Sequence, residues 1–280
     1  MKLRCRDHLL PLDQVAVMGV LNVTPDSFSD GGRWFDRDRA IARGVEMGDQ
    51  GAAIIDVGGE STRPGAADVP EAEEQDRVIP VIQALARHID VPISIDTRKP
   101  AVAAAAVQAG ASIVNDTWGE RPDPHLIEVA ARAEAAYVCM HSRGTPATMR
   151  SLTEYSDVVS EVKEWLAGRA NDLVGSGLRP DQIVLDPGFG FAKTADQSLE
   201  LLDRLEEIVA IGYPVLSGTS RKSFIGITLD LGEDERVEGT AATVAISVYK
   251  GAKIVRVHDV VQMTRVVKMT EAVCRSRIGG

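Results

Sequence analysis

Seven polar positions close short apolar runs in this sequence: Asn22, Asp56, Asp96, Asn115, His141, Asp186 and an Arg256/His258 pair. In residues 183–194, IVLDPGFGFAKT, the run reaches Asp186 and breaks at once on Pro187, Gly188 and Gly190. An ionised carboxylate held out of water costs several kcal/mol unless a ligand or cation partners it. A single Asp or Asn at such a place reads equally well as a cap for the following helix. Seven together read as donors and acceptors converging on one polar ligand.

Convergence requires elements that bring distant segments together. The apolar runs are short and β-branched, ending at Asn22, around Asp56, and at Asp96, Asn115, His141, Asp186, Ser217 and His258. Amphipathic stretches separate them, over 38–51, 71–88, 100–110, 124–134, 154–177, 198–212, 238–251 and 259–276, with Gly51 as a C-cap candidate and Pro100 suited to a first turn. Alternation of this kind signals βα units and a parallel sheet. Eight runs and eight helices predict an α/β fold, a TIM-type (β/α)8 barrel in a single domain. In a barrel all strand C-termini open onto one face, so the polar positions share a mouth. A doubly wound sheet competes, but 188–193, GFGFAK, has lysine where the last glycine of a dinucleotide fingerprint belongs, and no P-loop motif occurs.

Composition narrows the functions. With 280 residues, 44% hydrophobic and 26% charged, the chain has material for one large core. A net charge of −10 argues against a nucleic-acid surface. The longest uncharged run, 100–115, is shorter than the roughly 20 apolar residues of a membrane span, and Asp7, His8, Pro11 and Asp13 interrupt any secretory h-region. Cys5, Cys139 and Cys274 lack CxxC spacing and read as plain thiols, so a cytoplasmic location is expected.

Eight segments in order resemble the bacterial dihydropteroate synthase family: 18–32 MGVLNVTPDSFSDGG, 56–66 DVGGESTRPGA, 93–97 ISIDT, 114–116 VND, 139–141 CMH, 185–193 LDPGFGFAK, 218–226 GTSRKSFIG and 255–260 VRVHDV. The resemblance implies a pterin-binding barrel over 15–277 behind an N-terminal extension, 1–14. It implies condensation of 6-hydroxymethyl-7,8-dihydropterin diphosphate with p-aminobenzoate, giving dihydropteroate for folate synthesis and pyrophosphate. By resemblance, the pterin is held by Asp96, Asn115, Asp186 and Lys222 and sandwiched by Met140, Phe191 and Arg256. A carboxylate suits the paired N–H donors of the pterin edge. The diphosphate falls to Asn22, Arg63, Arg256 and His258, with Mg2+ on Asn22, and the p-aminobenzoate to Phe28, Thr62, Arg63, Pro64, Lys222 and Ser223, the last opening a helix.

The implied mechanism is loss of diphosphate from the pterin methylene carbon, then attack by the aniline; Asn22, Asp96, Lys222, Arg256 and His258 are the expected catalytic set. The first step needs no general base, in accord with the lack of a Ser/His/Asp set. Loops 25–34 and 59–70 are long for barrel connections and read as lids. A homodimer and competitive binding of sulfonamides also follow from the resemblance. Trp118 departs from the family pattern, at the rim of the pterin pocket. Barrels that bind methyltetrahydrofolate share Asp96, Asn115 and Asp186 but have no use for 61–65, STRPG, or 220–223, SRKS; a non-catalytic paralogue should lack a substrate contact, and none is missing.

Overall fold

The computed structural model describes residues 1–24, 32–61, 68–117, 119 and 123–276. Eight parallel strands run in chain order around one sheet: β3 (Ala16–Asn22), β4 (Ile54–Gly58), β5 (Ile93–Asp96), β6 (Ile113–Asp116), β7 (Ala136–Met140), β8 (Ile183–Asp186), β9 (Leu216–Ser217) and β10 (Ile254–Val257). β10 pairs with both β3 and β9, and a parallel bridge from Leu185 to Val215 joins the two outer strands. With the amide of Leu185 donating to the Pro214 carbonyl at 2.9 Å, the sheet closes into the expected (β/α)8 barrel.

The helices lie outside: α1 (Gly32–Asp49), α2 (Glu71–Leu85), α3 (Pro100–Ala109), α4 (Pro124–Arg132), α5 (Val158–Gly175), α6 (Ala195–Asp203), α7 (Leu205–Val209), α8 (Ser223–Leu229), α9 (Val237–Tyr249) and α10 (Val260–Ser276). Pro100 opens α3, where a missing N–H loses nothing, and Gly51 beyond α1 has a φ of +96°, both as expected. The helix expected over 198–212 is broken at Arg204 into α6 and α7, and α8 is a separate short helix.

Every barrel strand is buried on both faces, and the period of two sorts its residues. Val17, Leu21, Ile55, Val57, Ile93, Ile95, Val114, Ile183, Leu185 and Val255 pack in the large cluster shared with the helices. Ala16, Met18, Ile54, Ile113, Ala136, Val138, Val184, Leu216 and Ile254 form a separate cluster, which is the barrel interior. Even steps along the strands from those interior residues lead to Asn22, Asp56, Asn115, Met140, Asp186, Arg256 and His258, and Asp96 lies one step from the helix-facing Ile95, so the same alternation that sorts the two clusters aims these side chains at the upper end of the interior.

Residues of the N-terminal extension form a further element. β1 (Lys2–Cys5) and β2 (His8–Pro11) pair as an antiparallel hairpin. Leu3, Cys5 and Leu12, at most 1% exposed, join the interior cluster and close the end of the barrel opposite the polar mouth. Arg6 fixes the hairpin: its guanidinium donates to the carbonyls of Val107 at 2.6 Å and Ala111 at 3.2 Å. The period-two signal of the hairpin is only four residues per strand, too short to register beside the charges that surround it. Leu3→Ala is expected to lower stability by about 2–5 kcal/mol, the usual cost of emptying such a site. Urea unfolding measures it; an unchanged midpoint would show that the hairpin is dispensable to the core.

Candidate functional site

The mouth is organised by one guanidinium between two carboxylates. Arg256, on β10, donates through Nε to Asp56 Oδ2 at 2.6 Å and through Nη2 to Asp96 Oδ2 at 2.7 Å. Asn115 Nδ2 donates to the same Asp56 oxygen at 3.2 Å, and Thr117 Oγ1 to Asp96 Oδ1 at 3.1 Å. Asp56 is fully buried and its Oδ1 has no partner. The strands explain why these groups meet: Asp96 is the register partner of both Gly58 and Asn115. Asp116, next in the chain after Asn115, points the other way and accepts from the Tyr137 hydroxyl at 2.6 Å.

Gly58 leaves the space that Asn22 and Asp96 face. A methyl group there would lie 3.8 Å from Asn22 Oδ1 and 3.6 Å from Asp96 Cβ. Across the mouth, Asp186 stands beside Met140 on the neighbouring strand and accepts from the Gly188 amide at 2.7 Å. Lys222 lies 4.4 Å above the Phe191 ring and donates to the Phe189 carbonyl at 2.5 Å. A cleft of about 550 Å³, its open mouth included, runs from Asp96, Thr117 and Phe191 out to Ser142, Thr145, Pro146 and Met149.

Burial and mutual charge set the protonation. Burial pushes Asp96 up to about 7, opposed by Arg256 and reinforced by Asp56. Burial also raises Asp186, with Lys222, the Gly188 amide, Arg256 and Lys193 pulling it back. Lys222 is lowered to about 8 by burial, and Arg256 lowers it further while Asp186 and Asp96 act the other way. Burial disfavours the charged form of Arg256, but Asp56 and Asp96 outweigh it and the net shift is upward. A neutral, flat heterocycle with N–H donors at one edge suits paired acceptors and a cation of this kind.

The sequence expectations divide on these coordinates. Asp96, Asn115, Asp186, Lys222 and Arg256 come together, Met140 and Phe191 beside them. His258 follows β10 with Nδ1 3.0 Å from Ser220 Oγ, and its amide donates to that same oxygen at 3.2 Å. Ser223 is exposed at the first turn of α8. Phe28, Thr62, Arg63, Pro64 and Trp118 lie outside the described residues, as does much of both long loops. His141, expected at the mouth, instead lies beyond β7 and packs edge-on against Trp165 of α5, ring centroids 5.1 Å apart. The sequence reading passed over Thr117, Ser220 and Lys193; the last carries a signal, a lone cation inside the apolar and glycine-rich stretch 187–193.

Among the described residues no three His, Cys, Asp or Glu side chains gather as a metal site. Asn22 is the nearest candidate: a neutral oxygen donor on the Gly58 side of the mouth, next to Asp96. That set fits only a hard divalent ion that keeps most of its shell as water and substrate oxygens.

Residues 18–258 match the pterin binding enzyme family. The chain is 49% identical over 260 residues to the dihydropteroate synthase of Bacillus subtilis, covering 93% of this chain and 89% of that one. It superposes with a TM-score of 0.92, at 40% identity over 98% of this chain and 100% of the other, on Yersinia pestis dihydropteroate synthase solved with a sulfonamide drug complex. The Xanthomonas albilineans dihydropteroate synthase solved with 4-aminobenzoic acid gives a TM-score of 0.90 at 40% identity, with 97% of each chain covered.

The raised Asp96 carries a consequence for stability. A group whose folded pKa lies above its unfolded value stabilises the fold fully below the unfolded value, and that contribution is lost as pH rises through the folded one. For Asp96 the window runs from its ordinary 3.8 to about 7. Asp96→Asn should therefore gain in Tm relative to the unaltered protein as pH rises from about 5 to about 8. Thermal melts across that range test it, and a constant difference would refute the assignment.

Proposed function

The chain belongs to the pterin binding enzyme family, and we propose on that premise how its own residues carry out the dihydropteroate synthase reaction. The enzyme condenses 6-hydroxymethyl-7,8-dihydropterin diphosphate with p-aminobenzoate, forming 7,8-dihydropteroate and releasing pyrophosphate. The observation that carries the assignment of residues is the meeting of two charge groups, Asp56–Arg256–Asp96 and Asp186–Lys222, at the barrel mouth, where Asp96 also lines the cleft.

In this reading Asp186 accepts from the amino and ring N–H groups of the pterin, and Asn115 serves the mixed edge. Asp96 accepts a further ring N–H, and Lys222 donates to the carbonyl side. Met140, Phe191 and Arg256 bound the two faces of the ring. As the diphosphate leaves, positive charge develops on the pterin; Asp96, ionised above about 7 and 2.7 Å from Arg256, is a fixed carboxylate that opposes it beside Asp186. Asn22, Arg63, Arg256 and His258 hold the diphosphate, His258 oriented by Ser220. Asn22 would hold Mg2+, which when bound offsets the charge of the leaving group. Phe28, Thr62, Arg63, Pro64, Lys222 and Ser223 take p-aminobenzoate, and sulfonamides compete there. Residues 15–277 act as the catalytic domain. Cytoplasmic residence is part of the proposal, in keeping with three free thiols; no helix among the described residues is long and apolar enough to cross a membrane.

Pyrophosphate release tests the reading. Purified protein with the pterin diphosphate and Mg2+ should release it faster once p-aminobenzoate is added, with dihydropteroate as product. Asp186→Asn should weaken pterin binding by about a hundredfold, since an amide donor replaces one acceptor of a buried pair. Ser223→Ala should instead raise the KM for p-aminobenzoate with little change for the pterin. Equal losses for both substrates in the serine variant would contradict the division of the site.

The quaternary structure proposed is a homodimer through α9 and α10, which pack side by side. Ile246 and Tyr249 on α9 and Met269 and Val273 on α10 are exposed, Met269 by 67%. Large apolar side chains so grouped mark a protein-binding face. Light scattering should give twice the chain mass, and Met269→Glu combined with Ile246→Glu should give the monomer. A monomeric unaltered protein overturns this assignment.

A further inference from the structure

Lys193 is a buried cation that the reaction above does not use. Only 7% of the residue is exposed, and its ammonium makes three hydrogen bonds: to His141 Nδ1 at 3.0 Å, to the Gly188 carbonyl at 3.1 Å and to the Phe191 carbonyl at 3.0 Å. An ammonium has three donors, so all are satisfied, and no acceptor is a carboxylate. As an ammonium Lys193 can only donate, so Nδ1 of His141 is the acceptor and the ring carries its proton on Nε2; burial holds Lys193 well below the usual lysine range, with Asp186 opposing and Lys222 and Arg143 reinforcing. His141 stays neutral: burial, then Lys193 and Arg143, lower it to about 2.

The segment this ammonium gathers is the wall of the cleft. Gly188, Gly190 and Ala192 have φ values of +68°, +75° and +48°, a winding that an ordinary chain does not hold unaided. A methyl group on Gly188 would come within 2.0 Å of the His141 carbonyl, so the wall already lies against the end of β7. On the front of this wall stand the Gly188 amide, which donates to Asp186, the Phe189 carbonyl, which accepts from Lys222, and the Phe191 ring beneath Lys222. Lys193 binds the same backbone from behind. It is also one of four groups that favour an ionised Asp186, with Lys222, the Gly188 amide and Arg256.

We propose that Lys193, seated on His141, is a positioning residue for the pterin side of the site: it fixes the 188–191 backbone from behind and supplies positive charge beside Asp186. The proposal rests on the reading that this cleft holds the pterin. Its two parts predict different signatures. Loss of the bonds to the carbonyls loosens Phe191 and lowers pterin affinity at every pH. Loss of the charge makes the ionised form of Asp186 harder to hold, so binding that needs a carboxylate fails at a higher pH as pH falls.

Binding of 6-hydroxymethylpterin, without Mg2+ or p-aminobenzoate, is measured by calorimetry from about pH 5 to pH 9 for the unaltered protein and for Lys193→Met. The variant is expected to bind about tenfold more weakly on the alkaline plateau, with its acid limb displaced upward by about half a pH unit or more. Its KM for p-aminobenzoate at saturating pterin diphosphate should change by less than about twofold. An acid limb at the unaltered pH overturns the proposal, as does an equal loss for both substrates. Should Lys193→Met fail to fold, the pair His141→Gln and His141→Leu decides. Glutamine keeps an acceptor for the ammonium and should bind the pterin almost as the unaltered protein does; leucine should not, and equal affinity in the two overturns the proposal. Failure of the unaltered protein to bind the pterin ring overturns the functional reading itself and this inference with it.

Discussion

The guanidinium of Arg256 reaches Asp56 and Asp96 at 2.6 and 2.7 Å while Asn115 shares the Asp56 oxygen, and these contacts join residues up to 200 positions apart. Groups of this kind are not chosen for stability. Desolvating the charges takes back much of what their attraction supplies, and a hydrophobic set of equal volume often does as well. Their worth is that they allow few alternatives. Removing one partner of such a pair commonly costs about 3–5 kcal/mol, because the other is left charged and unmet. The mouth is therefore held to one arrangement, and that arrangement keeps an acceptor, Asp96, with both of its oxygens directed by named donors.

What makes the constraint effective is the closed interior beneath it. Met18, Ile54, Ile113, Val138, Val184, Leu216 and Ile254 fill the barrel under the polar set, and Leu3, Cys5 and Leu12 from the hairpin seal the lower end. Water is kept from below, so the charges interact through a poorly polarisable medium. A shift of one residue in any strand would exchange its interior and exterior faces, sending a carboxylate into the helix layer. The register that buries the apolar residues is thus the register that assembles the site.

The barrel and its polar ring were legible because both are written in short β-branched runs that close on a polar residue, in chain order. An Asp ending a β-branched run, repeated from strand to strand, needs no tertiary information to be noticed. Three things were not legible. His141 ends its run as Asp186 ends its own, yet it lies an odd step from the interior positions Ala136 and Val138, so the strand alternation turns it to the helix side, against Trp165. Asp56 was read as one of the polar groups of the mouth, and its role as the seat of Arg256 and Asn115 depends on which rotamers three strands bring together. The break between α6 and α7 falls at Arg204, whose guanidinium reaches its near neighbours Glu200 and Glu207 and also Asp157, a distant partner that no local pattern reveals.

The two lysines of the cleft wall show how an acidic chain arranges positive charge. Lys222 takes the Phe189 carbonyl from the front, and Lys193 takes those of Gly188 and Phe191 from behind, so one short stretch of backbone solvates both ammoniums. Neither is neutralised by a direct hydrogen bond to a carboxylate in these contacts, and both are depressed by burial. Asp186 lies within the field of both. A carboxylate paired directly to an ammonium would have its oxygens occupied; one that feels two cations through a glycine turn is drawn back toward its ionised form against burial and keeps an oxygen for a ligand. That distinction separates a binding group from a structural salt bridge, and the glycines of 187–190 supply it by letting the amide of Gly188, rather than a side chain, make the direct contact.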